Sequence, residues 1–173
     1  MQSLTINKND DILLFMAELI LSKGQKTIID DKDFEWLNQN RWYLGSGGYV
    51  TRVLSRKLHP QGKQTRVFMH RVILNPPRGY FTDHINGDKL DNRKANLRVA
   101  TARQNSYNRK IGSNNKSGCK GVYYRPNYGK RKWAVYIKLP DKLKFISGHE
   151  DKQEAIEAWQ KATKEYYGEF AKW

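Results

Sequence analysis

Short apolar runs separated by polar turns make up the first third of the chain. Residues 19–21 and 27–29 are strand-like, and the Ser-Lys-Gly-Gln stretch at 22–25 supplies a turn between them, which predicts a β-hairpin. Strand character returns at 42–44 and 49–53 on either side of a Gly-Ser-Gly-Gly stretch. This pattern indicates a small α+β segment that forms one unit with the residues after it.

A short helix is expected between the hairpin and the later strands. Asp31 or Asp33 would cap its N-terminus, because a carboxylate there accepts hydrogen bonds from the unpaired backbone amides. The helix would run to about Gln39, with Phe34 and Leu37 on its buried side.

Residues 66–74 are apolar enough for a buried strand that turns into a helix, and the Asn-Pro-Pro sequence at 75–77 should stop that helix. Between 107 and 121 the chain is rich in Ser, Asn, Gly and Lys and has almost no apolar residues, which is typical of a linker. We therefore place a domain boundary near Ile111.

The C-terminal part of the chain predicts three strands and one helix. The strands are expected at 121–125, 132–139 and 142–147, with turns between them. A helix at 152–167 is indicated by apolar residues that recur at helical spacing on one face: Ala155, Ala158, Trp159, Ala162 and Tyr166.

The charge of the chain is concentrated in its middle. The net charge is +15, and residues 93–144 carry 15 Lys and Arg against a single acidic residue. Such a segment repels itself unless a polyanion neutralises it, so nucleic acid is the favoured partner. A solvated charged face and binding to a membrane surface are the alternatives, and the Tyr and Trp residues between the charges favour nucleic acid.

Cysteine content and hydropathy narrow the class of protein further. The single cysteine, Cys119, excludes an internal disulfide and a zinc site built on paired cysteines. No run of 18 apolar residues and no signal-peptide pattern occurs. We expect a cytoplasmic protein that does not bind membranes.

Four residue pairs carry the most informative pattern: Asp83-His84, Asp91-Asn92, Asn96-Leu97 and Gln104-Asn105. Their order and spacing resemble the HNH endonuclease family, and in particular its phage and intron homing type. In that family two strands and a helix surround one divalent metal ion, which is the ββα-metal fold. The resemblance implies a metal-dependent hydrolase that cuts phosphodiester bonds in DNA.

Matching positions to this family assigns roles to individual residues. His84 becomes the general base, because an imidazole has the side-chain pKa closest to neutral. Asn96 is expected to hold the loop that orients His84. Asp83 and Asn105 supply hard oxygen ligands that suit Mg²⁺, with Mn²⁺ as the alternative. His70 also matches a His found upstream in this branch of the family, and its apolar surroundings favour a structural role.

From Ser117 onward the chain resembles the AP2 domain, in which a three-stranded sheet contacts DNA and a helix packs behind the sheet. The resemblance rests on Gly-Val-Tyr-Tyr-Arg at 121–125, Lys-Trp-Ala-Val-Tyr-Ile at 132–137 and the Tyr-Gly-Glu-Phe-Ala ending at 167–171. The Ser-Gly-His sequence at 147–149 departs from the family pattern, so base preferences are not transferred.

Strand alternation divides this sheet into a DNA-facing side and a helix-facing side. Val135 and Ile137 should face the helix. The residues expected to contact DNA from the strands are Tyr123, Arg125, Tyr136 and Lys138. Those expected to contact the phosphate backbone are Lys130, Arg131 and Lys144. A sheet with a generic charged face is the alternative, and it would still bind DNA without sequence preference.

Together these patterns predict an α+β protein in four parts. Residues 1–65 are the lead-in, 66–110 the HNH core, 111–120 a basic linker and 121–173 the AP2-like domain. We expect a site-specific, homing-type endonuclease of phage or bacterial origin that acts as a monomer on double-stranded DNA, by nicking or by cutting both strands. A noncatalytic DNA-binding protein that keeps the HNH scaffold is the alternative, and an RNA-binding module is a third reading.

Overall fold

The computed structural model describes residues 16–54, 65–108, 111–112, 115 and 117–171. The chain is a mixed α/β protein whose sheets are antiparallel. It folds into two compact units, one that ends at Thr101 and one that begins at Ala102. Each unit is described separately below.

The first unit opens with the predicted hairpin. Strands β1 (Met16–Ile20) and β2 (Lys26–Asp30) pair antiparallel, with Leu19 opposite Thr27. Helix α1 (Asp31–Asn38) follows β2 without a loop. Both strands are therefore longer than the apolar positions alone indicated.

The N-cap prediction for α1 is wrong. Asp30 occupies the N-cap position with an extended backbone, and its side chain makes no capping hydrogen bond. Asp31 is the first helical residue and Asp33 lies inside the first turn. The Asp33 carboxylate is buried and accepts a hydrogen bond from the Trp36 indole at 3.0 Å, so its partner is a side chain one turn later.

A second sheet and a short helix come next in the chain. Strands β3 (Tyr43–Leu44), β4 (Val50–Leu54) and β5 (Thr65–Phe68) pair antiparallel in that order. Helix α2 (Met69–Leu74) continues directly from β5 and ends at Asn75, which has a left-handed backbone with φ of 46°. The predicted strand, helix and stop are confirmed.

The strand pair β6 (Phe81–His84) and β7 (Leu97–Ala100) closes the first unit. The two strands are antiparallel, with His84 opposite Leu97. The segment between them includes a 3₁₀ turn at Lys94–Asn96. The pair therefore holds both ends of the segment that carries most of the candidate motif.

One apolar core joins the lead-in to these later strands. Its buried members come from the hairpin, α1, the second sheet, α2 and β7: Leu19, Leu21, Ile29, Leu37, Trp42, Val50, Met69, Ile73 and Leu97. The backbone of Ile28 on β2 also bonds the segment after His84, through Ile28 N to Leu90 O and Asn92 N to Ile28 O, both 2.8 Å. The described lead-in, residues 16–54, is thus part of the same packed unit as β6 and β7.

The second unit contains a helix, a three-stranded sheet and a long helix. Helix α3 (Ala102–Tyr107) comes first. Strands β8 (Val122–Tyr124), β9 (Trp133–Lys138) and β10 (Leu143–His149) form an antiparallel sheet with β9 in the centre. Helix α4 (Lys152–Tyr167) has the predicted bounds and packs against the sheet.

Helix α4 begins at a side-chain cap and buries an apolar face. The Asp151 carboxylate accepts from the backbone amides of Gln153 and Glu154 at 2.6 and 3.0 Å, which satisfies two of the unpaired donors of the first turn. The core between sheet and helix consists of Cys119, Val122, Val135, Ile137, Ala155, Trp159 and Ala162. The predicted helix-facing positions Val135 and Ile137 are confirmed.

The packing divides the chain before α3, whereas the sequence placed a boundary near Ile111. Within the second unit, the Tyr107 ring at the end of α3 stacks on Tyr167, with ring centroids 3.7 Å apart. The Lys120 ammonium also donates to the Tyr107 carbonyl at 3.0 Å. These contacts explain why α3 packs with the C-terminal residues. In the described part of the chain, no helix is long and apolar enough to cross a membrane.

Candidate active site and nucleic-acid interface

Asp83 and His84 lie at the end of β6, where the strand enters the segment that joins it to β7. Both side chains are buried, with 5% and 4% of their surface exposed. Asp83 pairs across the sheet with Arg98, and His84 pairs with Leu97. Neighbouring residues on a strand point to opposite faces, so the two side chains have different surroundings.

Asp83 forms a buried ion pair with Arg98. The Arg98 Nε and Nη2 atoms both donate to the Asp83 Oδ2 atom, at 2.9 and 2.8 Å. The guanidinium is almost as enclosed as the carboxylate, with side-chain exposures of 11% and 6%. The buried carboxylate thus has a charged hydrogen-bond partner, and carboxylate oxygens are hard donors of the kind that divalent cations prefer.

The His84 ring faces a buried amide. Its Nε2 atom lies 3.3 Å from Oδ1 of Asn92, a side chain that is 1% exposed. The Asn92 Nδ2 atom donates to the Thr27 hydroxyl at 2.8 Å, and that hydroxyl donates to the Leu90 carbonyl at 2.6 Å. A chain of hydrogen bonds thus links the ring to the N-terminal hairpin.

Aromatic rings also pack around His84. The His70 ring meets it edge to face with centroids 5.1 Å apart, and the Tyr49 ring lies 6.0 Å away. Tyr49 and Phe68 both contact His70 in turn. The Lys89 ammonium sits 4.3 Å from the Tyr49 ring centroid and donates to the Gly47 carbonyl, so the β3–β4 turn is tied to the segment after His84.

Burial keeps both histidines neutral. Desolvation lowers the pKa of His84 below its usual 6.5, although the Asn92 hydrogen bond and the Asp83 charge act in the opposite direction. Desolvation and the neighbouring His84 lower the pKa of His70 to about 3. A general base must be unprotonated to accept a proton, so this environment suits His84 for that role. Among the residues that the structure describes, the buried Nδ1 atom of His70 finds no hydrogen-bond partner.

Asn96 holds the backbone of the segment that follows His84. Its Oδ1 atom accepts from the Asn86 amide at 3.0 Å, and its Nδ2 atom donates to the Asp91 carbonyl at 2.8 Å. The Arg93 guanidinium binds both carboxylate oxygens of Asp91, at 2.8 and 2.7 Å. These bonds fix the turn, and a catalytic role for Asn96 stays a prediction.

The predicted metal ligands lie in different units. Asp83 belongs to the first unit, whereas Asn105 is a half-buried residue of α3 in the second. Across the described ranges, no group of three or more His, Cys, Asp and Glu side chains is arranged to hold a metal ion. The oxygen of Asp83 fits a hard divalent cation that keeps most of its water ligands.

An aromatic row crosses the face of the second unit's sheet that points away from α4. Tyr136 on the central strand makes edge-to-face contacts with Tyr123 on β8 and Phe145 on β10, with centroids 5.7 and 5.4 Å apart. The Arg125 guanidinium lies 5.1 Å from the Tyr136 ring centroid. Lys138, two residues after Tyr136, shares this face and is exposed. We call this surface the outer sheet face.

The remaining predicted phosphate contacts fall in two places. Lys130 and Arg131 are exposed between β8 and β9. Lys144 pairs with the core residue Ile137 across β10 and β9, so it points to the α4 side, where its ammonium contacts the Tyr166 hydroxyl at 2.5 Å. The structure therefore does not bring Lys144 to the outer sheet face.

Comparison with known proteins places this geometry in a family. Residues 67–107 match the HNH endonuclease family. An uncharacterized HNH endonuclease of Acanthamoeba polyphaga mimivirus is 28% identical over 163 residues, which cover 93% of this chain and 81% of that protein. Protein 3.8 of Escherichia phage T7 is 30% identical over 96 residues, which cover 56% of this chain and 77% of that protein. Residues 67–107 are thus similar to the HNH endonuclease family, and a relative that carries this name is similar over most of the chain.

The match to this family gives residues 67–107 a coarse function. The family suggests nuclease activity on DNA, and HNH nucleases generally use a divalent metal ion. The matched range contains β6, β7 and α3, and with them His84, Asn96 and Asn105. The alignment with the mimivirus protein reaches into both units, because it covers 93% of the chain. No solved structure matches the chain.

Several residues of the site had no predicted role. Thr27 and Tyr49 come from the lead-in, Asn92 and Arg98 lie within the motif, and Phe145 lies on β10. Asp91-Asn92 was one of the residue pairs of the sequence motif. The contact of Asn92 with His84, however, depends on a tertiary hydrogen bond to Thr27. Phe145 was not indicated by strand alternation alone, because its position opposite Tyr136 depends on the register between β9 and β10.

Burial of neutral His70 makes the first unit sensitive to acid. The pKa of His70 is about 3 when folded and close to 6.5 when unfolded, so the unfolded chain binds a proton first as the pH falls. The free energy of unfolding is therefore not reduced by His70 above about pH 6.5. Below that pH, proton uptake by the unfolded chain lowers it progressively, down to about pH 3. In His70→Phe, the loss of unfolding free energy between pH 7 and pH 5 should be smaller by about 2 kcal/mol than in the wild type.

Urea denaturation of both proteins at the two pH values measures this difference. An equal loss of stability in the wild type and in His70→Phe would contradict burial of a neutral His70.

Proposed function

We propose that this protein is a metal-dependent, site-specific DNA endonuclease of the homing type, with His84 as general base. The observation that carries the proposal is the buried, neutral imidazole of His84, one residue after the buried Asp83 carboxylate in the segment that matches the HNH family. A base and a hard oxygen donor on adjacent residues are what phosphodiester hydrolysis requires.

His84 would accept the proton of the attacking water. Its lowered pKa keeps the imidazole unprotonated at neutral pH, and its contacts with Tyr49, His70 and Asn92 hold the ring. A fixed base that is already unprotonated can accept a proton directly. General-base catalysis of this kind typically contributes about 10²- to 10⁴-fold to the rate.

Asp83 is the residue of the first unit that would hold the metal ion. When bound, Mg²⁺ or Mn²⁺ supplies charge neutralisation for the pentavalent transition state and for the departing 3′ oxygen. The Arg98 guanidinium donates two hydrogen bonds to the Oδ2 atom of Asp83, so the carboxylate is held in place. Asn105 as the second ligand is an assignment from the family resemblance.

The second unit would hold the DNA. The row of Tyr123, Tyr136 and Phe145 on the outer sheet face offers apolar contacts to base edges and sugars, and Arg125 and Lys138 supply positive charge beside it. Exposed Lys130 and Arg131 would contact phosphates. The three-stranded sheet backed by one helix is consistent with the AP2-like arrangement that the sequence resembles.

A noncatalytic DNA-binding protein that retains the HNH scaffold is the second candidate. The Asp83–Arg98 ion pair is the observation that favours it, because a buried guanidinium on the proposed ligand opposes the approach of a cation. The two candidates differ in whether bound DNA is cut.

Scission of supercoiled plasmid and host genomic DNA with Mg²⁺ or Mn²⁺ tests the proposal. At equal DNA occupancy, His84→Ala should cut at least about 10²-fold more slowly than the wild type, because the proton acceptor is gone. Binding without scission in both proteins would support the noncatalytic candidate. His149→Ala is a suitable control, since His149 lies in the second unit on β10.

If DNA binds to the outer sheet face, a substitution on that face should weaken the affinity for DNA. Lys138→Ala should weaken binding and lower the slope of log affinity against log salt by about 1, because one phosphate contact is lost. Lys144→Ala removes the same charge from the α4 side of the same sheet and should change the slope less.

Fluorescence anisotropy with labelled duplex DNA over a salt series measures both variants. Equal effects of the two substitutions would argue against the outer sheet face as the DNA-binding side.

A further inference from the structure

The hydrogen bonds around Asn92 determine which nitrogen of His84 carries a proton. Thr27 has a single hydroxyl hydrogen, and the Leu90 carbonyl 2.6 Å away can only accept. The hydrogen is therefore directed at Leu90. The Thr27 oxygen has no second hydrogen to donate, so it can only accept a hydrogen bond from Asn92.

The orientation of the Asn92 amide follows from this. Two acceptors face one end of the amide, the Thr27 hydroxyl oxygen at 2.8 Å and the Lys89 carbonyl at 3.3 Å. That end must be the NH₂ group, because an amide oxygen there would meet two other oxygens without a hydrogen between them. The oxygen of the amide therefore points to the other side, at Nε2 of His84.

An amide oxygen can only accept, so the contact with His84 requires a hydrogen on Nε2. A neutral imidazole carries one N–H, and its lone pair is then on Nδ1. The hydrogen bond of Nε2 to Asn92 thus leaves Nδ1 as the nitrogen that can accept a proton.

Burial makes this arrangement rigid. Thr27 and Asn92 are 0% and 1% exposed, so water does not compete for their hydrogen bonds. The backbone amide of Asn92 donates to Ile28 O at 2.8 Å, which fixes the residue to β2 next to Thr27. Rotation of the Asn92 amide would break its bonds to Thr27 and Lys89 together.

We propose that Asn92 and Thr27 are positioning residues that hold His84 in the tautomer with its proton on Nε2, which makes Nδ1 the basic nitrogen. The catalytic meaning of this tautomer rests on the proposed function, in which His84 accepts the proton of water. The tautomer itself is a property of the folded protein without DNA or metal.

The test is the ring-nitrogen NMR spectrum of the ¹⁵N-labelled full chain, without metal or DNA, at a pH where the ring is neutral. His84→Ala identifies the His84 signals by their loss. In the wild type, Nε2 should show the chemical shift of a protonated ring nitrogen and Nδ1 that of an unprotonated one. A proton on Nδ1 in the wild type would overturn the inference.

Two variants examine the positioning residues, with one matched control. Asn92→Ala removes the acceptor, and Thr27→Val removes the group that orients it, so both should move the His84 ring shifts towards a mixture of tautomers. Thr51→Val is the control, because Thr51 is also a buried threonine of the first unit, 1% exposed, and its hydroxyl has no hydrogen-bond partner within the described ranges. Its spectrum should match that of the wild type.

If Asn92→Ala does not fold, the wild-type spectrum and Thr27→Val still decide the question. Unchanged His84 shifts in folded Thr27→Val and Asn92→Ala would overturn the positioning role. With an active nuclease, Asn92→Ala should also lower the rate of cleavage by about 10- to 100-fold at unchanged DNA affinity. Wild-type cleavage by His84→Ala would refute the proposed function and leave the NMR result standing, so the two failures are distinguishable.

Discussion

The site depends on the hydrogen bonds that join β2 to the segment after His84. Ile28 donates to Leu90 and accepts from Asn92 through its backbone, and the Thr27 side chain adds a bond to the same Leu90 carbonyl. A loop between two strands has many conformations, and ordering each of its residues costs about 1–2 kcal/mol in backbone entropy. Bonds to a strand that is already packed in the core offset this cost and leave Asn92 with one position.

The functional unit is consequently larger than the segment that matches the family. The match begins at residue 67, yet Thr27 orients Asn92 and Tyr49 packs against the His84 ring. The lead-in also contributes Leu19, Ile29 and other residues to the core that contains Leu97 of β7. The described residues before 67 therefore support the site, a role that no pattern in the sequence indicated.

The sequence predicts the elements that depend on local interactions, and it misses those that depend on contacts between residues far apart in the chain. Helix α4 was placed correctly because its apolar spacing and the Asp151 cap are local features. The cap of α1 was misplaced because three aspartates lie within four positions, and the tertiary burial of Asp33 decides among them. Lys144 was grouped with the DNA contacts because strand register, which puts it opposite Ile137, is not visible in a single strand. Tyr49, which packs against His84, and Thr27, which bonds Asn92, are distant in sequence. Their roles depend on tertiary contacts that a single sequence does not show.

The imidazole of His84 is the proposed proton acceptor in DNA cleavage, and chemical rescue tests that role most directly. The measurement is the rate of metal-dependent plasmid cleavage by His84→Ala as free imidazole is added, with Asp83→Ala as the variant that imidazole should not rescue. Imidazole should restore part of the cleavage in His84→Ala alone. Cleavage by His84→Ala at the wild-type rate without imidazole would contradict the role of His84 as general base.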